Sequence, residues 1–262
     1  MKKDIVAGLG EIGEPIYKLL SKNYDVVGYD LNHNLMNQTK FNKFQSAKTS
    51  FLHIAIPVNK NFISNVLKLN KKFEPECIVI HSTIGPGTTR EIQKKLSIPL
   101  IFSATRGIHK RMLKDLKRYT KYYAISSSAP RKQWAEKTFS KKMKVCGIKT
   151  KQMSKPETLE LGKIICDTSY LGWLINYSQI SNMIAKSYGV DYDEMWEFSD
   201  EIHKFLGNRP KLYPGFIGGH CVIPNLELIH NETLDLINSL NNSYLKKVKN
   251  AKSINKKYLK KK

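Results

Sequence analysis

The chain has 262 residues, of which 41% are hydrophobic and 10% aromatic. It is long enough for one large domain or two ordinary ones, and its apolar content excludes wholesale disorder. Its 44 Lys and Arg residues against 22 Asp and Glu give a formal charge of +22, which favours either an anionic partner or a lysine-rich composition that reflects codon bias.

The charge is unevenly distributed. Residues 104–155 carry a net +14 and residues 246–262 a net +9, whereas residues 156–245 carry a net −7. The change of sign near residue 155 predicts a domain boundary. We therefore predict three segments, a first domain, a second domain and a lysine-rich tail, over residues 1–154, 155–245 and 246–262.

The first half alternates segments typical of strands and helices. Apolar runs predict strands over residues 3–9, 24–30, 51–57, 77–82, 98–103, 122–126 and 144–147. Amphipathic stretches predict helices over residues 14–22, 61–73 and 88–96, and one that starts near Pro130. Strands separated by helices imply right-handed crossovers, so we expect an α/β fold with a Rossmann-type, doubly wound parallel sheet.

A mainly helical domain built on one long helix is predicted to follow. Pro156 suits a first helical turn and Gly189 a C-cap, which predicts a helix over residues 156–188. Apolar side chains recur along one face: Cys166, Tyr170, Trp173, Tyr177, Ile180 and Ile184. Others lie around it, so we expect the helix to be enclosed and to pair with its copy in a homodimer. Beyond it we predict a helix, a Gly/Pro-rich loop and a second helix over residues 191–206, 207–224 and 226–245.

Cysteine usage and polarity favour a cytoplasmic location. The four cysteines, Cys77, Cys146, Cys166 and Cys221, form no CxxC pair, so we expect neither a disulfide framework nor a metal site. The N-terminus lacks the features of a signal peptide. The longest uncharged stretch, residues 168–185, contains several Asn, Ser and Gln residues, so we expect no membrane span.

A glycine-rich turn joins the first predicted strand to the first helix. It consists of Gly8, Leu9, Gly10, Glu11, Ile12 and Gly13. This G-x-G-x-x-G pattern permits a tight turn and close approach to a pyrophosphate, which the helix N-terminus attracts. Asp30 follows Gly8 by 22 residues, and its carboxylate would bind ribose hydroxyls and repel a 2′-phosphate. The pattern predicts NAD in preference to NADP; the alternative is a turn used only for packing.

Two further loops follow predicted strands. Pro57 ends the third predicted strand and Ser82 the fourth, and Thr83 follows Ser82 directly. Ligands in open α/β sheets bind at the carboxyl ends of strands, so we expect Pro57 to contact the cofactor and Ser82 and Thr83 to touch nicotinamide or hold a water. Thr88 or Thr89 could also cap the next helix.

The predicted loop over residues 207–224 contains the motif GGHC-x-x-P, which starts at Gly218 and ends at Pro224. A free cysteine is by itself more often an inert packing residue than a nucleophile. Its position after a dinucleotide-binding domain favours a functional role for Cys221.

The chain resembles the UDP-glucose/GDP-mannose dehydrogenase family from residue 1 to about residue 225. The resemblance rests, in matching order, on GLGEIG, GYD, HSTIGPGTT, Glu160-x-x-Lys163-x-x-x-Asp167 and GGHC-x-x-P. It implies NAD-dependent oxidation of the C6 alcohol of a nucleotide sugar, a UDP-sugar above all, towards the uronic acid. A route to polysaccharide precursors is the pathway that the family suggests.

The resemblance also implies roles for the matched residues. Cys221 would attack the aldehyde to give a thiohemiacetal, which a second NAD oxidises to a thioester. Lys163 would stabilise the alkoxide oxygen, Asp167 would orient Lys163, and Thr83 would position a water. The substrate would contact Lys163, Tyr213, Gly218, Gly219, His220 and Asn225.

The chain departs from the family pattern at three positions and in length. It has Ser103-Ala104-Thr105-Arg106 where the family has an acid, Asp167 in place of an asparagine, and Asn225 in place of an aspartate. It also ends where the family continues into a nucleotide-sugar-binding domain. We expect either that a partner supplies this domain or that the substrate is held differently.

Two other functions stay open. The first is a single-step NAD-dependent alcohol or hydroxyacid dehydrogenase that uses Lys163 without a covalent step. The second is a non-catalytic nucleotide-binding or nucleic-acid-binding protein, which the basic residues 104–155 and 246–262 would suit. With the charge assigned mostly to a lysine-rich background around an NAD site, nucleic acid is not the expected partner.

Overall fold

The chain divides into two units, residues 1–163 and residues 164–262. The computed structural model describes residues 1–206, 214–218, 222–228 and 232–248. The boundary that the charge pattern predicts, after residue 154, lies shortly before this division.

The first unit is built on a seven-stranded sheet. Its strands are β1 (Lys2–Ala7), β2 (Val26–Tyr29), β3 (Lys48–Ile54), β4 (Cys77–Ile80), β5 (Leu100–Phe102), β6 (Lys121–Ile125) and β7 (Thr150–Gln152). They lie in the order β2-β1-β3-β4-β5-β6-β7, and every neighbouring pair is parallel except β5 with β6. The strand order reverses between β1 and β3, which is where open α/β sheets bind ligands.

Helices cover both faces of this sheet. They are α1 (Gly13–Leu20), α2 (Gln38–Lys43), α3 (Phe62–Phe73), α4 (Thr88–Gln93), α5 (Met112–Arg118), α6 (Lys132–Val145) and α7 (Pro156–Leu161). Successive residues of a strand contribute to two separate hydrophobic cores, one on each face of the sheet. Val6 and Phe51 pack with α1, α5 and α6. Ile5 and Leu52 pack with α3, α4 and α7. This alternation buries both faces and confirms the predicted doubly wound, Rossmann-type fold.

The predicted strand over residues 144–147 is wrong. Val145 ends α6, and Gly147 adopts a left-handed conformation with φ of 76°. The Ile148 N–H bonds to the Met143 carbonyl at 2.9 Å, which closes the helix as a Schellman motif does. The segment is too short for periodicity to separate a helix end from a strand, and the strand itself, β7, comes three residues later.

The described chain beyond β7 is mainly helical. The predicted helix over residues 156–188 comprises α7, a π-helical segment (Gly162–Ser169) and α8 (Tyr170–Ser187), and Gly189 follows with φ of 69° as a C-cap glycine. The predicted helix over residues 191–206 is interrupted, giving α9 (Tyr192–Glu197) and α10 (Asp200–Leu206). The last predicted helix is replaced by α11 (Val222–Leu226) and α12 (Glu232–Lys247).

The long helix is not enclosed within the single chain. Tyr177 is 63% exposed and Ile184 51% exposed, whereas Asn176, Gln179 and Asn182 are buried. The buried amides find partners on α12: Asn182 donates to the Tyr244 hydroxyl at 2.8 Å and Gln179 to the Asn241 side chain at 3.2 Å. Because these hydrogen bonds offset the cost of burying amides, the polar face packs inward and the aromatic face stays outside.

The described helices include none with the length and apolar content needed to cross a membrane.

Candidate functional site

The glycine turn lies at the reversal point of the sheet. Gly8 has φ of 88°, and its N–H bonds to the Tyr29 carbonyl at 2.9 Å. A Cβ at Gly8 would lie 2.5 Å from the Ala55 carbonyl oxygen, and one at Gly13 only 1.6 Å from the Gly8 carbonyl oxygen. Packing therefore requires glycine at both positions.

Gly10 differs from Gly8 and Gly13, the other two glycines of the turn. A Cβ there would meet nothing within 4 Å, so packing within the protein does not require a glycine. The open side of Gly10 lies just before α1, whose N-cap residue, Ile12, makes no side-chain capping hydrogen bond. Uncapped N–H groups and the helix dipole suit a phosphate. Glu11 is exposed and its carboxylate lies 2.6 Å from His109 Nδ1, and Ile12 packs partly buried against the core.

Asp30 lies beside the glycine turn, as predicted from the spacing. One carboxylate oxygen accepts from the Leu9 N–H at 2.7 Å and the other from the Asn32 N–H at 2.8 Å. These two bonds fix the carboxylate next to the turn and leave lone pairs for further donors. The Asp30 carboxylate is thus placed to accept hydrogen bonds from hydroxyl groups of a ligand at the turn.

The loops after β3 and β4 are joined by Ser82. Its buried hydroxyl donates to the Ile56 carbonyl at 2.6 Å, next to Pro57, which is exposed. Thr83 is half-buried. Ser82 thus fixes the relative position of the two loops predicted to meet the cofactor.

The N-terminus of α4 is capped by a residue distant in the sequence. Glu160 is fully buried, and its carboxylate accepts from the Gly87 N–H at 2.7 Å, the Thr89 N–H at 2.9 Å and the Thr89 hydroxyl at 2.6 Å. Burial raises the pKa of Glu160, while these hydrogen bonds oppose the rise. Neither Thr88 nor Thr89 is the N-cap, because Gly87 occupies that position. The predicted threonine cap is therefore wrong, since the carboxylate supplies the stronger acceptor.

Lys163 and Asp167 both belong to the π-helical segment, on either side of the division between the units. Lys163 is half-buried and Asp167 exposed. π-Helical turns are rare and occur frequently at functional sites.

The structure reveals a buried lysine that the sequence did not single out. Lys121 opens β6 and donates to the Ser103 carbonyl at 2.9 Å and to the Thr105 hydroxyl at 3.2 Å. Burial, together with the positive charges of Arg106 and Lys163, lowers the pKa of Lys121 to about 7. The only signal in the sequence was the unusual segment over residues 103–106, which contacts this lysine.

Two buried histidines continue this network across the sheet. His81 Nδ1 lies 3.2 Å from the Ser103 carbonyl oxygen, and His53 Nδ1 lies 2.9 Å from His81 Nε2. Burial lowers the pKa of His53 to about 3 and that of His81 well below its usual range, so both rings are neutral. A carbonyl only accepts, so His81 carries its proton on Nδ1 and accepts at Nε2 from His53.

The loop before the cysteine motif is held by buried amides. Gln179 donates to the Gly215 carbonyl at 2.9 Å. Asn241 accepts from the Ile217 N–H at 2.8 Å and donates to the Ile217 carbonyl at 3.0 Å. Sequence patterns did not identify either amide, because each contact joins α8 or α12 to a distant loop.

Only some of the residues predicted to contact the substrate lie in the part of the chain that the structure describes. Gly218 is exposed and Asn225 is half-buried in α11. Four predicted residues lie outside the described residues: Tyr213, Gly219, His220 and Cys221. Among the side chains that the structure describes, no group of three or more His, Cys, Asp or Glu residues could hold a metal ion.

No family model and no curated protein matches the chain. Among solved structures it is similar to the UDP-D-ManNAc dehydrogenase of Pyrococcus horikoshii, with 18% identity over 92% of this chain and 68% of that one, at a TM-score of 0.72. It is also similar to the UDP-N-acetyl-mannosamine dehydrogenase of Staphylococcus aureus, with 18% identity over 93% of this chain and 68% of that one, at a TM-score of 0.67. A 3-hydroxyisobutyrate dehydrogenase of Mycobacterium tuberculosis is similar as well, with 12% identity over 93% of this chain and 90% of that one, at a TM-score of 0.64. At these identities the comparisons establish the fold that the chain shares with these dehydrogenases.

Proposed function

We propose that the chain is an NAD-dependent dehydrogenase that oxidises the C6 alcohol of a nucleotide sugar, a UDP-sugar in the first place. The observation that carries the cofactor part is the reversal point of the sheet. There Gly10 leaves open space beside an uncapped helix N-terminus, and the Asp30 carboxylate is fixed next to it. The substrate part is supported by the GGHC-x-x-P motif and by likeness to two UDP-sugar dehydrogenases over more than nine-tenths of the chain.

NAD is the proposed cofactor in preference to NADP. The Asp30 carboxylate would accept hydrogen bonds from the ribose hydroxyls, whereas a 2′-phosphate would bring like charge against it. Gly8, Gly10, Glu11, Ile12 and Gly13 would surround the pyrophosphate. On the nicotinamide side, Pro57, Ser82 and Thr83 would line the pocket.

The proposed reaction removes two hydrides in sequence, both accepted by NAD. The alcohol loses a hydride and a proton to give an aldehyde, while the Lys163 ammonium stabilises the negative oxygen. The Cys221 thiol adds to the aldehyde carbon, and loss of a second hydride and proton leaves a thioester. A water positioned by Thr83 cleaves the thioester, which releases the carboxylate and regenerates the thiol. Asp167 would orient Lys163, and the substrate would lie against Tyr213, Gly218, Gly219, His220 and Asn225.

Counting NADH per molecule of substrate tests this function. The protein is incubated with NAD and a panel of UDP- and GDP-sugars, and NADH absorbance is compared with the sugar consumed. We expect two NADH per sugar for the wild type. Cys221→Ser should lose the second oxidation, because a hydroxyl is a much weaker nucleophile than a thiolate.

The exposed cysteine of the π-helical segment provides the matched control. Cys166→Ser removes a thiol outside the loop and should leave two NADH per sugar. An unaffected second oxidation in Cys221→Ser would exclude Cys221 as the nucleophile, and the absence of NADH across the panel would refute the proposed function.

A single-step dehydrogenase that uses Lys163 is the second candidate. The observation in its favour is the likeness to the 3-hydroxyisobutyrate dehydrogenase, which extends over 90% of that protein. One NADH per substrate, with a small hydroxyacid in place of a sugar, would identify this function.

We also propose a homodimer formed through the helix over residues 156–188. Its support is the row of exposed apolar side chains, including Tyr170, Tyr177 and Ile184, since contiguous apolar surface of this kind marks interaction sites. Light scattering should give twice the chain mass of 30.1 kDa. Replacing Tyr177 with Glu and Ile184 with Lys should halve that mass, whereas Val145→Lys on α6 should not. A wild-type mass of one chain would refute the dimer.

A further inference from the structure

Lys121 lacks the partner that a buried lysine ordinarily has. It is 5% exposed, and its ammonium bonds only to neutral oxygens, those of Ser103 and Thr105. In the part of the chain that the structure describes, no carboxylate forms an ion pair with it. A buried ammonium without a counterion is costly, so the uncharged amine is the form that this site favours.

The charged groups around Lys121 reinforce this preference. Arg106 and Lys163 are positive and lie close enough to lower its pKa, and the two histidines on the sheet side are neutral. The acids of the packed helices are engaged elsewhere. Asp115 pairs with Arg111 at 2.9 Å, and on α7 Glu157 pairs with Arg90 at 3.3 Å, while Glu160 caps α4.

The position of Thr105 connects this amine to the predicted cofactor side of the sheet. The Thr105 N–H bonds to the His81 carbonyl at 3.3 Å, two residues before Thr83. Because β6 is antiparallel to β5, its first residue, Lys121, lies at the carboxyl edge where the preceding strands end. Thr105 therefore contacts the amine through its hydroxyl and the segment just before the loop after β4 through its backbone N–H.

We propose that Lys121, acting through the hydroxyl of Thr105, accepts the proton that the substrate hydroxyl loses during dehydrogenation. This role rests on the proposed dehydrogenase function. The C–H bond gives its electron pair as hydride to NAD, the substrate O–H proton passes to the Thr105 oxygen, and the Thr105 proton passes to Lys121 Nζ. The products are the carbonyl compound, NADH and the Lys121 ammonium, which returns its proton to solvent. The doubly held Ser103 carbonyl keeps the amine in place.

The protonation state of Lys121 is measured first, on the protein alone. NMR of lysine labelled with ¹³C and ¹⁵N follows the side-chain signals with pH, and Lys121→Met assigns the one that disappears. We expect this signal to titrate near pH 7, well below the other lysines. A midpoint near 10 would overturn the proposal without reference to any substrate.

Rates then test the relay. Because the neutral amine is the active form, kcat/KM of the wild type should fall about tenfold per pH unit below pH 7. Lys121→Arg keeps a positive charge that cannot be removed near neutral pH, so kcat should drop by about 10²–10⁴-fold, with KM changed much less. Thr105→Val should lose rate in the same way, while Thr105→Ser, which keeps the hydroxyl, should retain most of it.

The two proposals fail in different ways. If the wild type forms no NADH from any substrate, the dehydrogenase function fails. If the wild type forms NADH but Lys121→Arg keeps its rate and pH profile, or Thr105→Val equals Thr105→Ser, the relay fails and the function stands.

Discussion

Replacing Gly13 with alanine is expected to lower the free energy of unfolding by about 1–3 kcal/mol or more, the range for overpacked sites. The added Cβ would lie 1.6 Å from the Gly8 carbonyl oxygen and 2.8 Å from its carbon. Both atoms belong to the backbone, so no side-chain rotation relieves the clash. The turn and the start of α1 must move apart, which urea unfolding would register as a lower midpoint.

Gly10→Ala is the matched control for Gly13→Ala. With nothing within 4 Å of its Cβ, it should leave the free energy of unfolding within about 0.5 kcal/mol of the wild type. Its methyl group would occupy the space of the proposed pyrophosphate, so calorimetric titration should show NAD affinity lower by at least about tenfold, or 1.4 kcal/mol. Undiminished affinity would refute the placement of the pyrophosphate, and an unchanged unfolding midpoint in Gly13→Ala would contradict the packing of the turn.

Replacing Glu160 with glutamine should lower the free energy of unfolding by about 1–3 kcal/mol, the cost of a buried donor left without an acceptor. Both carboxylate oxygens accept from backbone N–H groups, those of Gly87 and Thr89. Whichever way the glutamine amide turns, its NH₂ group faces one of these donors. The loop after β4 would lose its anchor on α7 although the side chain keeps its size.

Glu157→Gln controls for the loss of a negative charge on the same helix. The ion pair of Glu157 with Arg90 is partly solvent-exposed, so its removal should change stability by no more than about 1 kcal/mol. Equal losses in the two variants, measured by chemical unfolding at neutral pH, would show that Glu160 contributes charge alone and no specific cap.

The geometry of the glycine turn was predictable because its signals are local. Gly8, Gly13 and Asp30 lie within one strand–turn–helix–strand unit. The backbone of this turn leaves no room for a side chain at either glycine. The alternation of strand-like and helix-like segments likewise predicted the doubly wound sheet, since strands separated by helices imply crossovers between parallel strands.

The remaining features depend on contacts between distant segments. Glu160 meets a loop more than 70 residues earlier, and nothing in its own helix distinguishes it from an exposed acid. Lys121, His81 and His53 come together only through the order of the strands, because each sits on a different one or at its end. The sequence singled out the apolar face of α8, whereas hydrogen bonds to Asn241 and Tyr244 of α12 turn its polar face inward.

The short strand β7 closes one edge of the sheet. An edge strand exposes unpaired backbone donors and acceptors, with which a strand of another molecule can pair. Short edge strands and lysine side chains along the edge prevent such pairing. Lys149 and Lys151 are both exposed at this edge, which is only three residues long. Part of the positive charge of residues 104–155 therefore opposes pairing of this edge with a strand of another molecule. Neutralising Lys149 and Lys151 should promote aggregation.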